Sequence, residues 1–225
     1  MSRDWLSLLA SFAYVFAAIG AAEGLRKWLS QAKPGTYSVD FTRKFIHIAV
    51  GMWAYGTVLL FEQRVFAIIP PLAFVAINAF SYWRGTFKAM ETGEKGNLGT
   101  VYFPLSFAVL IWAFWGRSHL IVAGLMPMTW GDALAAVVGR RIGRRRYTVL
   151  GSTRSVEGSM MMFFAGWVAT SVALMLLGTG DPVTALWVSA VTAFGAAVVE
   201  AVSPWGIDNL TVPATSALIL AAMLA

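Results

Sequence analysis

The chain has 225 residues, 58% of them hydrophobic and 12% charged, with a mean hydropathy of +0.69 and a net charge of +6. Soluble domains carry about a quarter charged residues, so half that share in long apolar runs makes lipid the main solvent. The absence of cysteine and the presence of only two histidines, His47 and His119, exclude disulfides, thiolate zinc, cysteine-ligated iron–sulfur centres and a histidine-rich metal site.

A helix needs roughly 20 residues to cross a hydrocarbon core. In chain order, that length predicts spans at about residues 5–25, 41–61, 65–83, 98–115, 119–139, 156–178, 183–203 and 209–225. Together they make an all-α fold, a single membrane domain over residues 1–225 with about eight transmembrane helices. The first span is followed by Arg26 and Lys27, whereas a cleaved signal peptide has its basic residues in front. Pro70 and Pro71 predict a kink in the third span, and Pro104 lies in the short fourth one. The loops after spans one, three, five and seven hold fourteen Lys and Arg residues, Lys33, Lys88 and Lys95 among them. The other side has three, Arg3, Arg64 and Arg117. That asymmetry predicts cytoplasmic basic loops and extracytoplasmic termini, and it explains the net charge without nucleic acid.

Glu23, Asp132, Glu157, Glu200 and Asp208 all fall within two turns of the cytoplasmic span ends. Burying an ionisable group in a bundle costs about 2.5–3.5 kcal/mol on insertion scales, so five on one level predict a common polar site. The connections are too short for a separate soluble domain, which leaves helix ends and short loops to build it.

Arg43, His47 and Gly51 open the second span at intervals of four, hence on one face, with Lys44 beside them. Such a histidine is either a hydrogen-bonded interior residue or an anion contact. Glu23 and Lys27 are spaced for an ion pair across one turn. In the fifth span Asp132 and Gly139 share a face with Ala133, Ala135 and Ala136 between them. Small residues let helices approach closely. An unpaired membrane carboxylate has no packing use, which makes Asp132 a hard-cation ligand or a proton acceptor. Arg140, Arg141, Arg144, Arg145 and Arg146 come next, suited to bidentate phosphate contact or to plain topological anchoring. The run Gly151-Ser-Thr-Arg-Ser-Val-Glu-Gly-Ser159 leads into the sixth span with Ser155 as N-cap. It is either an anion site or simply a capped helix. In the short turn between the last two spans, Glu200, Asp208 and Asn209 can reach one metal or one substrate.

Four segments, Arg-Lys-x-x-His-x-x-x-Gly from Arg43, Gly-Asp-x-x-Ala-x-x-x-Gly-Arg from Gly131, Ser-x-Glu-Gly-Ser from Ser155 and Glu…Pro…Asp-Asn-x-Thr-x-Pro to Pro213, recur in this order in one known group. The chain resembles the CTP-dependent lipid kinases, a group that includes dolichol, phytol and diacylglycerol kinases and is related to phosphatidate cytidylyltransferases. The resemblance covers about three quarters of the chain, and its compact size is most similar to the phytol and polyprenol kinase branch. It implies transfer of the CTP γ-phosphate to a lipid alcohol, with Mg²⁺ or another divalent cation. Implied catalytic residues are Asp132, Glu157 and His47, the last two as alternative proton acceptors. Asp132, Glu200, Asp208 and Asn209 would hold the metal. The nucleotide would meet Arg43, Lys44, Gly139, Arg140, Gly143, Arg144, Arg154, Ser155, Gly158 and Ser159. Arg154 stands where relatives carry Lys, which keeps the charge and changes the geometry.

The expected partners are therefore CTP, an isoprenoid or other lipid alcohol and membrane lipid, with homo-oligomerisation left open. The alternatives are a diacylglycerol kinase, a cytidylyltransferase attacking the α-phosphate, and a small transporter. The long Lys-Asp…His-Gly-Gly signature of the cytidylyltransferases is missing. A transporter would carry polar residues toward the midplane and an inverted repeat, and neither is present.

Overall fold

Backbone in hydrocarbon must satisfy its own hydrogen bonds, and this chain does so almost entirely as helix. The computed structural model describes residues 2–32, 38–84, 97–178 and 180–225. Lys33, Lys88 and Lys95 of the basic loops lie outside the described residues. The helices are α1 (Arg3–Ala32), α2 (Ser38–Leu60), a short α3 (Arg64–Ala67), α4 (Ile69–Arg84) and α5 (Gly99–Phe114). Next comes a composite span of α6 (Ser118–Met126), a π-helical stretch (Pro127–Asp132) and α7 (Ala133–Ile142). After a hairpin of β1 (Arg146–Val149) and β2 (Ser152–Ser155), the chain closes with α8 (Val156–Leu177), α9 (Pro182–Val202) and α10 (Asp208–Met223).

Five stretches among the described residues are long and apolar enough to cross a membrane: Arg3–Leu29, Arg64–Arg84, Ser118–Ile142, Val156–Leu177 and Pro182–Val202. Gly99–Phe114 is a shorter apolar helix. The composite span is the hub, because 72% of its apolar window is buried against 28–39% for the other four. Its Leu120, Ile121, Val122, Leu125 and Met126 are all sealed from the surface. A helix that is apolar all round belongs at the centre, and α2, α5, α8 and α10 pack around it.

The helix ends sort into two levels. At one, the Arg3 guanidinium donates to the Leu59 carbonyl (2.8 Å), the Glu62 amide donates to Asp4 (2.8 Å), and Arg64 donates to the Trp112 carbonyl (3.2 Å). The start of α1 therefore meets the end of α2, and the start of α3 meets the end of α5. The opposite level gathers the starts of α2, α5 and α10, the end of α9 and the hairpin.

Two details depart from the sequence expectation. The kink expected at Pro70 and Pro71 is a clean break: α3 ends, Ile68 turns, and both prolines sit in the first turn of α4, where a missing N–H is harmless. The hairpin at residues 146–155 was expected only as a loop. It pairs Arg146 with Ser155 and Tyr147 with Arg154, and turns through Leu150 (φ 48°) and Gly151 (φ 81°), as a two-residue turn of the primed type requires.

Candidate active site

The π-helical stretch inserts one residue into the composite span and so re-aims the side chains beyond it; such bulges recur at functional sites. It is held on two sides by missing side chains. Gly51 of α2 abuts Thr129, and a Cβ on Gly131 would stand 2.8 Å from the Met162 carbonyl of α8. Asp132, the last residue of the stretch, is thereby presented at the level of the α9–α10 turn.

From α2, the Lys44 ammonium forms an ion pair with Asp132 Oδ2, and both side chains are nearly buried. One turn further, His47 Nε2 lies 2.9 Å from the Met128 carbonyl and 3.9 Å from Asp132 Oδ2. A carbonyl only accepts, so Nε2 carries the proton and Nδ1 is the basic nitrogen. The ring stacks on Phe103 of α5 at 4.1 Å between centroids.

From the other side come Glu200, two residues before the end of α9, and Asp208, the first residue of α10. Both are buried. Arg154 of β2 spans them: its Nε is 2.6 Å from Glu200, and its Nη2 donates to Asp208 (3.3 Å) and to the Ser203 carbonyl (2.9 Å). The Glu200 contact is close but off-axis, an ion pair more than an aligned hydrogen bond. One carboxylate oxygen each from Asp132, Glu200 and Asp208 fall within 4.8 Å of one another. Oxygens sharing a Mg²⁺ at about 2.1 Å, or a Ca²⁺ at about 2.5 Å, stand no farther apart than about 4–5 Å. Chemistry and spacing both fit a hard divalent cation.

Around this centre opens a cleft of about 770 Å³. Arg43, Lys44, His47, Asp132 and Asn209 line it, as do Glu200 and Asp208. Arg140, Arg146 and Arg154 bring further positive charge to its wall. Gly139, Ser155, Gly158 and Ser159 also reach it, but each has structural work. The Ser155 hydroxyl accepts the Gly158 amide (3.1 Å), the Ser159 hydroxyl is bonded to Tyr147 (2.6 Å), and the Val156 amide donates to the Arg145 carbonyl (2.9 Å). The start of α8 is thus a capped helix with its hydroxyls and two of its first amides already used. Gly139 and Gly158 let α7 and α8 cross, since a Cβ on Gly158 would lie 3.1 Å from the Ala135 carbonyl.

Several expected participants stand apart. Gly143 and Arg144 do not line the cleft, and Gly143 packs on the backbone of Gly139 and on Ser155. Glu157 also lies outside the lining, where its carboxylate accepts the Arg145 amide (3.3 Å). Glu23 takes Arg26 as its hydrogen-bonded partner on the exposed face of α1 (2.9 Å) and does not join the three gathered acids. Asn209 points its amide at Asp208 Oδ1 (3.0 Å) and the Gly206 carbonyl (3.2 Å), which braces the carboxylate. Sequence reasoning missed Asn78, buried in α4 and donating to the Thr100 carbonyl (2.7 Å), and also Asn97 and Gly206. A lone polar residue in an apolar span was the available signal for Asn78.

The chain is 34% identical over 218 residues to a phytol kinase of Synechocystis sp., covering 96% of this chain and 90% of the relative. It is 27% identical to a probable phytol kinase 1, chloroplastic, of Oryza sativa, covering 94% and 71%. To a farnesol kinase, chloroplastic, of Arabidopsis thaliana it is 29% identical, covering 92% and 73%. No family model and no solved structure matches the chain.

Proposed function

Since the chain belongs to the phytol kinase family, we propose that it transfers the γ-phosphate of CTP to the hydroxyl of a long isoprenoid alcohol at the cytoplasmic membrane interface. The observation that carries this reading is the convergence of Asp132, Glu200 and Asp208 with Lys44 and Arg154 in one cleft at the helix ends. Phosphoryl transfer needs in-line positioning and charge neutralisation more than covalent chemistry, and the charged lining of this cleft suits the second.

The alcohol oxygen attacks the γ-phosphorus, the bond from that phosphorus to the β-bridging oxygen breaks, and CDP leaves. Asp132, Glu200 and Asp208 would hold a divalent cation, which when bound would supply charge neutralisation for the phosphates. Arg43, Arg140 and Arg146 face the triphosphate from the cleft wall. Arg154 and Lys44, paired with the acids, keep the site's charge balanced. His47 Nδ1 takes the hydroxyl proton, since Glu157 lies outside the cleft. This centre would serve a farnesyl, phytyl or polyprenyl alcohol alike.

Purified protein given γ-labelled CTP, ATP, GTP or UTP with phytol, farnesol, a polyprenol or diacylglycerol tests the donor and the acceptor together. Label should pass fastest from CTP to an isoprenoid alcohol. Transfer to diacylglycerol alone keeps the chemistry and refutes the substrate. Arg141 is exposed and outside the cleft, so Arg141→Gln should leave kcat and KM within about twofold. Arg140→Gln removes a charge-assisted phosphate contact worth about 1.5–3 kcal/mol and should raise the CTP KM roughly 10-fold or more. Equal effects of the two would reduce the cluster to an anchor.

The orientation is tested by single cysteines, which stand against no background in this chain. A cysteine at Ser152, in the hairpin, should resist an impermeant thiol reagent in intact cells, while one at Ser2 should react. The reverse pattern overturns the cytoplasmic placement.

A further inference from the structure

The cleft has two unlike walls. The composite span, the hairpin, α8, α9 and α10 contribute only polar, charged or small residues to it. Apart from the exposed Trp205 in the α9–α10 turn, every large apolar side chain in the lining comes from α1, α2, α4 or α5. On α4 and α5 the order is the same, Asn78 nearer the helix end and Phe74 deeper, Thr100 nearer and Phe103 deeper. On α2 the apolar Ile46 stands between Lys44 and His47, and Val50 lies deeper than all three. Val15 and Ile19 of α1, one turn apart, close the apolar side, and Phe74 is wedged against Phe12 and Phe16 of that helix at ring separations of 5.8 and 6.0 Å. Resting on the kinase reading, we infer that this apolar arm grips the hydroxyl-bearing end of the isoprenoid chain, with the buried Asn78 as the polar group at its mouth.

An amphiphile with a single hydroxyl matches a pocket that is polar at the helix ends and apolar below, whereas a nucleotide does not. His47, stacked on Phe103, marks the seam between the walls and places the base beside the hydroxyl. The arm is also shallow. Asn78 to Phe74 and Thr100 to Pro104 are four residues each, about 6 Å at 1.5 Å per residue. A pocket of that depth holds the branched unit next to the hydroxyl and leaves the rest of the chain among the helices or in lipid. Recognition thus reads the first isoprene unit and is indifferent to the length beyond it.

The test uses the full-length protein in lipid nanodiscs with two photoreactive farnesol analogues, one bearing a diazirine beside the first double bond and one at the far end. The near probe should label Val15, Ile19, Val50 or Phe74, the far probe none of them, and excess phytol should suppress the labelling. In parallel, Val50→Phe, which fills the arm, should raise the alcohol KM at least 10-fold while the CTP KM moves less than twofold. Phe74→Ala should raise the KM of branched alcohols and narrow their advantage over an unbranched alcohol of equal length. Near-probe labels confined to the α8–α9 surface, or equal shifts of both KM values in both variants, overturn the inference and leave the kinase reading standing. A wild-type protein that phosphorylates no isoprenoid alcohol removes both.

Discussion

Asp132→Asn is expected to lower kcat by at least about 10²–10³-fold at saturating Mg²⁺, the size of loss seen when one electrostatic stabiliser is removed from an active site. The substitution keeps the side chain's shape and removes one of three carboxylates that share the centre. It also deprives Lys44 of its ion pair, but Glu200 and Asp208 remain close by, so the folded state should survive. Unfolding in detergent checks that point, and a Mg²⁺ titration of the variant checks the role. Wild-type turnover across the titration would show that Asp132 is not a ligand of the metal.

Arg154→Met should have the largest effect on stability. The guanidinium reaches Glu200, Asp208 and the Ser203 carbonyl at once, and its loss leaves two buried carboxylates without their cation. Breaking a buried pair by removing one partner costs about 3–5 kcal/mol. The unfolding midpoint should therefore fall sharply and turnover with it. Adding Glu200→Gln to the same chain should recover part of the stability but none of the activity, because the second change removes one of the two orphaned charges along with a metal ligand. Arg154→Lys should fold better than Arg154→Met, yet a single ammonium cannot span all three partners. An Arg154→Met protein as stable as the wild type would mean that the acids carry no charge in the folded state.

What could be read in the sequence was whatever rests on cost. A carboxylate inside an apolar span is expensive, and that cost singled out Asp132, Glu200 and Asp208, which the fold brings together. The same reasoning included Glu23 and Glu157 too readily. Each lies close enough to a helix end to find a local partner, Arg26 in one case and the Arg145 amide in the other. Spacing put Arg43, His47 and Gly51 on one face, but not that Gly51 is there to admit Thr129. The π-helical stretch begins at Pro127 and packs closely on α2 and α8 through Gly51 and Gly131, a combination that a span-length reading does not separate from an ordinary kink. The hairpin escaped notice because its turn uses Leu150 at a positive φ in place of the Asn or Asp that signals such turns. Serines and glycines near residue 155 suggest an anion loop or a helix cap equally, and only the paths of their hydrogen bonds separate the two. The apolar arm is assembled from one or two residues of each of four helices, a juxtaposition that no local pattern encodes.

Tracing two labels through one reaction decides whether this centre moves a terminal phosphate to an isoprenoid hydroxyl. Purified protein is given phytol or farnesol with CTP labelled either at the α- or at the γ-phosphorus, and both the lipid and the nucleotide products are resolved. Label is expected in the lipid from γ-labelled CTP alone, with one CDP released for each lipid phosphate formed. Lipid label from the α position, with pyrophosphate released and cytidine retained on the lipid, would contradict the kinase reading.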